Sequence, residues 1–333
     1  MRGSGDHAPT LESMLIGLIA NPISSKDIRR LTGLARVVDA EEKANLLARL
    51  LVGLGSHPEV TVLALDDRAG LVRRAVSLAR DSAPQVDFLP ITATGEESDT
   101  KRAAAHLAGL MADALVTLGG DGTVRAAVEG WPEAPLVPIA AGTNNASALT
   151  LEPTVIGLAT VAAVKSQDPS VFVPTTALQV DISTGHATAV IDVVSVRGRW
   201  LGAGALWEPE LLMEAVSTSA DPTAVGIASV SAGMGPLAPG RARWIRFGPG
   251  QTVKAIFGPG LVVDVAVAEH SDLPIGSEVT LDVAGGVVAL DGERRIATGG
   301  SRVRVVPGPR VLDPDRALRV KGPLPLARPS SRK

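Results

Sequence analysis

The chain has 333 residues, of which 45% are hydrophobic, enough to bury the cores of two ordinary domains. Its 32 Lys and Arg against 35 Asp and Glu leave a net charge of −3, which gives no basic footprint for nucleic acid. Aromatics are 2%, with no Tyr and no Cys, so base-stacking platforms, disulfides, thiolate catalysis and Cys–zinc sites are excluded.

In chain order, residues 1–13 read as a loose start. A first strand covers 15–20 and ends at Asn21-Pro22, where proline closes the ladder. The apolar run 14–20 is too short to cross a membrane, and no secretory signal precedes it, so a cytoplasmic protein without an integral membrane segment is expected. The mixed-charge stretch with Ser24, Ser25, Lys26, Asp27, Arg29 and Arg30 is either a solvated face or an anion contact.

Asp39 with Glu42 three residues on opens a helix in capping-box fashion. Leu46, Leu47, Leu50 and Leu51 follow at helical spacing, and Gly53 or Gly55 ends the helix. Strands are expected at 60–65 and 86–90, with helices at 71–80 and 98–111. The second helix carries Ala104, Leu107, Leu110 and Met111 on its inner face.

The stretch 114–124 organises this half. Ala114 to Leu118 read as a buried strand, Gly119-Gly-Asp-Gly-Thr123 as a turn, and Val124 to Val128 as the start of a helix. Strand, glycine turn and helix start make a phosphate cradle, because glycines let the backbone approach or take φ > 0 and free N–H groups attract anions. Asp121 is the unusual member, since a bare carboxylate repels phosphate by about 1 kcal/mol at 4 Å in water and by more in a dry cleft. It therefore holds a bridging Mg²⁺, accepts the proton of an attacking hydroxyl, or faces away and caps the helix.

A fifth strand at 136–140 runs into Gly142-Thr143-Asn144-Asn145, which is either a helix N-cap or a ligand segment. Alternating strands and helices through 150 give an α/β N-terminal domain with a parallel sheet, in which ligands sit at the carboxyl ends of strands. Beyond 168 the pattern changes to strands at 177–182, 187–196, 242–247, 253–256, 261–268, 278–283, 287–290 and 302–306, broken by Gly-Pro turns. That spacing gives a β-rich, sandwich-like C-terminal domain over 151–306 after an N-terminal domain over 14–150. One helix is expected at 209–217, and 307–333 reads as an extended, proline-rich tail. Asp291-Gly292 is a hairpin signal, and Glu293 adds a second carboxylate that could face the first domain's cleft. Trp207 and Trp244 read as core or interface residues. The chain has no Gly-Lys pair, hence no Walker A loop.

With these residues in hand, the chain resembles the superfamily of NAD kinases, diacylglycerol kinases and sphingosine kinases. The shared signature is Gly-Gly-Asp-Gly-Thr at a strand end, matched in full by Gly119 to Thr123. Asn21-Pro22, Gly142 to Asn145 and Asp291-Gly292-Glu293 are similar to its other polar turns. Asn21 to Arg30, Ala141 to Asn145 and Ala205 to Pro209 are most similar to the ATP-NAD kinase-like branch, also called acetoin-catabolism protein X. The resemblance implies ATP and Mg²⁺ in a cleft between the domains and phosphoryl transfer to a hydroxyl. It implies Asp121 as general base or metal partner, and Gly119, Gly120, Gly122 and Thr123 on the phosphates. It also implies nucleotide contacts from Asn21, Gly142, Thr143, Asn144 and Asn145, acidic partners in Asp291 and Glu293, and a homo-dimer or tetramer. NAD is the acceptor expected first; the alternatives are a lipid or small alcohol, or a nucleotide-binding accessory protein of acetoin or 2-oxoacid metabolism without turnover. NAD kinases grip the acceptor with an Asn-Glu pair, and no Asn here is followed by Glu.

Overall fold

The computed structural model describes residues 13–24, 38–142, 146–182, 185–198, 208–283, 285–295 and 301–320. The first strand, β1, is Met14–Ala20. Helix α1 (Ala40–Leu54) starts where the capping box places it, Asp39 accepting from the Glu42 N–H at 2.8 Å. Then come β2 (Val60–Ala64), α2 (Leu71–Ala79), β3 (Gln85–Phe88) and α3 (Glu97–Gly109). The central strand β4 (Ala114–Gly119) leads into α4 (Asp121–Gly130), β5 (Pro135–Ala140) and α5 (Pro153–Ser166). Strands β3-β2-β1-β4-β5 lie side by side and parallel, as the alternating pattern requires. The inner strands are apolar almost throughout because helices cover both faces. Helices α1, α2 and α5 bury Leu47, Leu50, Leu51, Val72 and Ile156 on one face. Helices α3 and α4 bury Ala104, Leu107, Val124 and Val128 on the other.

The remaining strands are β6 (Phe172–Ile182), β7 (Gly185–Ala189), β8 (Asp192–Val196) and β9 (Leu212–Ser217). After helix α6 (Ile227–Ala232) come β10 (Arg241–Gly258), β11 (Leu261–Pro274), β12 (Glu278–Leu281), β13 (Val287–Leu290), β14 (Glu293–Arg295) and β15 (Ser301–Leu312). They divide between two sheets. Strand β15 joins β5 in parallel and β6 antiparallel, so β6, β7, β12 and β15 extend the first sheet to nine strands. The others make a six-stranded antiparallel sheet in the order β11-β10-β9-β8-β13-β14. Leu178, Val180, Val303 and Val305 of the first sheet face Val193, Val216, Val288 and Leu290 of the second. The sandwich is therefore built between the sheets.

Four expectations are corrected. Residues 209–217 are a short 3₁₀ turn followed by β9, because this segment pairs on both sides with β8 and β10. The segment 307–319 is not tail: it completes β15 and forms helix α7 (Pro314–Arg319), whose Ala317 is buried in the first core. Gly248-Pro-Gly250 does not separate two strands but is a bulge inside β10, where a Cβ on Gly250 would stand 2.3 Å from the Val267 carbonyl oxygen. Leu110 and Met111 lie past the end of α3 and are exposed, Met111 by 83%. Residues 1–12, 321–333 and Trp207 lie outside the described residues, and Trp244 packs at the edge of the inter-sheet core. Among the described residues no helix is long and apolar enough to cross a membrane.

Helices α1 and α5 cross where two glycines meet. A Cβ on Gly157 would lie 2.6 Å from the Leu50 carbonyl oxygen and 2.9 Å from the Gly53 Cα. Both obstacles are backbone, so neither can swing away. Gly157→Val should destabilise the fold by about 2–3 kcal/mol, measured as a lower urea midpoint; an unchanged midpoint would show that the crossing tolerates separation.

Candidate functional site

Three strand ends are tied together at the carboxyl edge of the parallel sheet. The Asn21 N–H donates to the Leu118 carbonyl at 2.9 Å, joining the ends of β1 and β4. The Asn21 side-chain amide donates to Thr123 Oγ1 at 2.8 Å, joining the first loop to the glycine turn. The Ser24 hydroxyl donates to the Ala141 carbonyl at 3.2 Å, and the Ala141 N–H donates to Gly119 at 2.8 Å, which brings in the end of β5.

The glycine turn uses its glycines for space. No residue from Gly119 to Thr123 has a positive φ; Gly120 sits at φ −106° as the N-cap of α4. A Cβ on Gly119 would stand 2.2 Å from Thr123 Oγ1, so the backbone is stripped bare where the Asn21–Thr123 hydrogen bond crosses it. Gly120 and Gly122 flank Asp121 at the start of α4, leaving the helix N-terminus without a side-chain cap.

Asp121 does not cap its own helix. Its carboxylate accepts from the Ser147 N–H at 3.0 Å, the Ser147 hydroxyl at 2.6 Å and the Ala146 N–H at 3.2 Å, all in the loop after β5. Gly142 is buried just before that loop, while Thr143, Asn144 and Asn145 lie outside the described residues. The helix that follows begins only at Pro153 and is capped by the Glu152 carboxylate, so residues 142–145 are not its N-cap.

Asp121 lines a cleft together with Ala146, Ile191, Asp192, Val225, Gly226, Ile227, Phe257, Asp291 and Gly292. The structure thus brings the glycine turn and the Asp291-Gly292 turn to one place, across the gap between the sheets. That turn is a hairpin, with Asp291 at φ +50° and Gly292 at φ +78° and Leu290 paired to Glu293. The Asp291 carboxylate points inward rather than into the cleft. It accepts from the N–H groups of Val190, Ile191 and Asp192 at 3.0, 2.7 and 3.2 Å, where the chain passes from β7 in the first sheet to β8 in the second. The side chain of Glu293 lies outside the described residues.

Behind Asp291 stands Arg125, one helical turn beyond Asp121 on α4 and completely buried. Its guanidinium donates to Glu97 at 2.8 Å and to the Leu290 carbonyl at 3.4 Å, with Asp291 at 3.9 Å. Sequence reasoning missed Arg125, Asp192, Lys43, Ser147 and the apolar wall. Arg125 carried a visible signal, being the sole cation in the run Val124 to Val128. Among the described residues no group of three or more His, Asp or Glu could hold a metal ion unaided.

Residues 16–161 match the profile of the ATP-NAD kinase N-terminal domain, and residues 176–308 match that of the acetoin catabolism protein X C-terminal domain. The first half is therefore of the NAD-kinase-like class. The chain is 34% identical over 311 residues to acetoin catabolism protein X of Cupriavidus necator, covering 86% of this chain and 85% of that protein. It belongs to the acetoin catabolism protein X family. Two structures of a putative diacylglycerol kinase from Bacillus anthracis align over 89% of this chain, at 12% and 13% identity with TM-scores of 0.44 and 0.41, which are too low to carry an argument.

Burial raises the Asp291 carboxyl to about 7 and the charge of Asp121 adds to this, while Arg125 and the Ile191 and Val190 N–H groups pull it down. The unfolded carboxyl titrates near 3.8, so between there and about 7 the folded chain keeps a proton that the unfolded chain gives up. The stability from this group is complete below the lower value and is lost as pH rises through the upper one. Urea unfolding across that window should show wild-type stability falling with pH relative to Asp291→Asn. A pH-independent difference between the two proteins would contradict the neutral carboxyl.

Proposed function

We propose that this chain is a phosphotransferase that takes ATP with Mg²⁺ at the ends of β1, β4 and β5 and moves the terminal phosphoryl group onto a hydroxyl. The observation that carries the reading is Asp121, anchored by Ser147 and Ala146 at the start of α4 and lining a cleft with an apolar opposite wall. Gly119 leaves room for the Thr123 side chain to fold back over the turn, which holds its hydroxyl at the start of α4. Mg²⁺ is usually held by one or two carboxylates plus phosphate oxygens, and Asp121 and Asp192 offer such oxygens in the cleft. When bound, the ion would neutralise charge on the phosphates.

In this reading Gly119, Gly120, Gly122 and Thr123 hold the phosphates, with Asn21 fixing Thr123. Gly142, Thr143, Asn144 and Asn145 border the nucleotide from the loop after β5. The acceptor oxygen attacks the terminal phosphorus, the new O–P bond forms as the bond to ADP breaks, and the hydroxyl proton passes to the Asp121 carboxylate. Such transfer depends mainly on positioning and charge. Asp291 acts through Arg125 and the 190–192 backbone as a positioning residue. In this reading the division at 150 separates a first half that serves the donor from a second half that serves the acceptor.

NAD remains the first acceptor to assay. The cleft also supports the small-alcohol alternative, because Ile191, Val225, Ile227 and Phe257 line it as an apolar wall. The relative's name places that protein in acetoin catabolism, and acetoin carries one hydroxyl.

Labelled ATP with Mg²⁺ should yield a phosphorylated product from a panel of NAD, acetoin, small diols and diacylglycerol. Asp121→Asn should lower that rate by about 10²–10⁴-fold with the nucleotide still bound. Nucleotide binding without product from any acceptor would favour the accessory reading, and full activity in Asp121→Asn would remove Asp121 from its role.

A further inference from the structure

Lys43 lies in the first turn of α1 and is only 1% exposed. A lysine is almost never so buried without partners, and its side chain shifts or is paired when it is. Here the ammonium donates to three carbonyl oxygens of the loop after β1: Asn21 at 3.4 Å, Pro22 at 2.8 Å and Ser24 at 2.6 Å. The loop is therefore gripped from below by a positive charge. From the other side it is tied to the glycine turn through Asn21 and Thr123, and to the end of β5 through Ser24.

The geometry has an electrostatic consequence. In a trans peptide the N–H points opposite to the C=O. With the Pro22 carbonyl turned to Lys43, the Ile23 N–H turns away, where it donates to Asn21 Oδ1 at 3.0 Å. The Pro22–Ile23 peptide dipole thus turns its positive end away from the ammonium and onto Asn21, whose side-chain amide donates to Thr123 in the glycine turn. A buried charge is weakly screened and keeps its reach. The chain has no Gly-Lys pair, so no lysine in a Walker A loop is available for this purpose.

We propose that Lys43 is a positioning residue that supplies positive potential to the phosphate site through the 21–24 loop, without touching the nucleotide. The proposal rests on the nucleotide reading above. It differs from a plain structural staple in one measurable respect: its effect must grow with the negative charge of the ligand.

The test is titration of ATP, ADP and AMP against the full chain carrying Lys43→Gln, Lys43→Met or Lys43→Arg, with urea unfolding of each. In whichever neutral variant folds, ATP affinity should fall about 10-fold or more, ADP less, and AMP by about 2-fold at most. Lys43→Arg should restore the wild-type order. Equal loss for all three nucleotides, or no loss, overturns the proposal. So does a set in which only Lys43→Arg folds, since the charge would then serve folding itself. If the wild-type chain binds none of the three nucleotides, the nucleotide reading fails first, and that result is distinct from any variant effect.

Discussion

The structure depends on a charge that has been taken out of water. Arg125 is wholly buried and is met by Glu97 from α3, by the Leu290 carbonyl from β13 and by Asp291 from the hairpin. A buried ion that loses its partner leaves an uncompensated charge, at a cost of about 3–5 kcal/mol. That cost fixes where α4 stands against the second sheet. Asp121 begins the same helix, so the cleft between the glycine turn and the apolar wall inherits its width from Arg125. Asp291 extends the constraint, because its carboxyl gathers the 190–192 backbone that forms part of that wall.

The parallel sheet supplies the other half of the arrangement. Its strand ends are all on one edge, and three of them carry short polar turns that hydrogen-bond to one another through Asn21, Ser24, Thr123 and Ala141. Lys43 closes this cluster from beneath. Asp121 closes it from the side of β5 through Ser147. Each contact is modest, about 1 kcal/mol net for a typical hydrogen bond. Together they leave few ways for the loops to move independently.

Much of the first half was legible because its signals are local. The capping box at Asp39, the alternation of strand and helix, and the glycine turn each need only a few neighbouring residues. The second half was legible in outline, since short strands and turns announce an antiparallel fold. It failed where pairing decides. Residues 212–217 carry an apolar pattern that suits either period, and two neighbouring strands made them β9. Residues 307–312 look like tail because of their prolines, yet the bulge between Pro307 and Arg310 lets β15 run on beside β6. Asp291 was visible as a turn residue, but nothing in the local sequence says that its carboxyl faces inward to three N–H groups.

The sequence by itself determined the chemistry on offer: carboxylates and glycines at strand ends, no cysteine, no Walker A lysine, and a signature at Gly119 to Thr123 that the family matches support. Only the tertiary structure decided which of these groups meet. Asp121 and Asp291 are far apart in the chain and share a cleft, Lys43 reaches back to Asn21, and Arg125 ties α4 and α3 to the second sheet. The physical reason is that burial selects such contacts. A lysine or arginine gains a fixed partner when water is removed from around it, and water is removed only once distant strands and helices have packed.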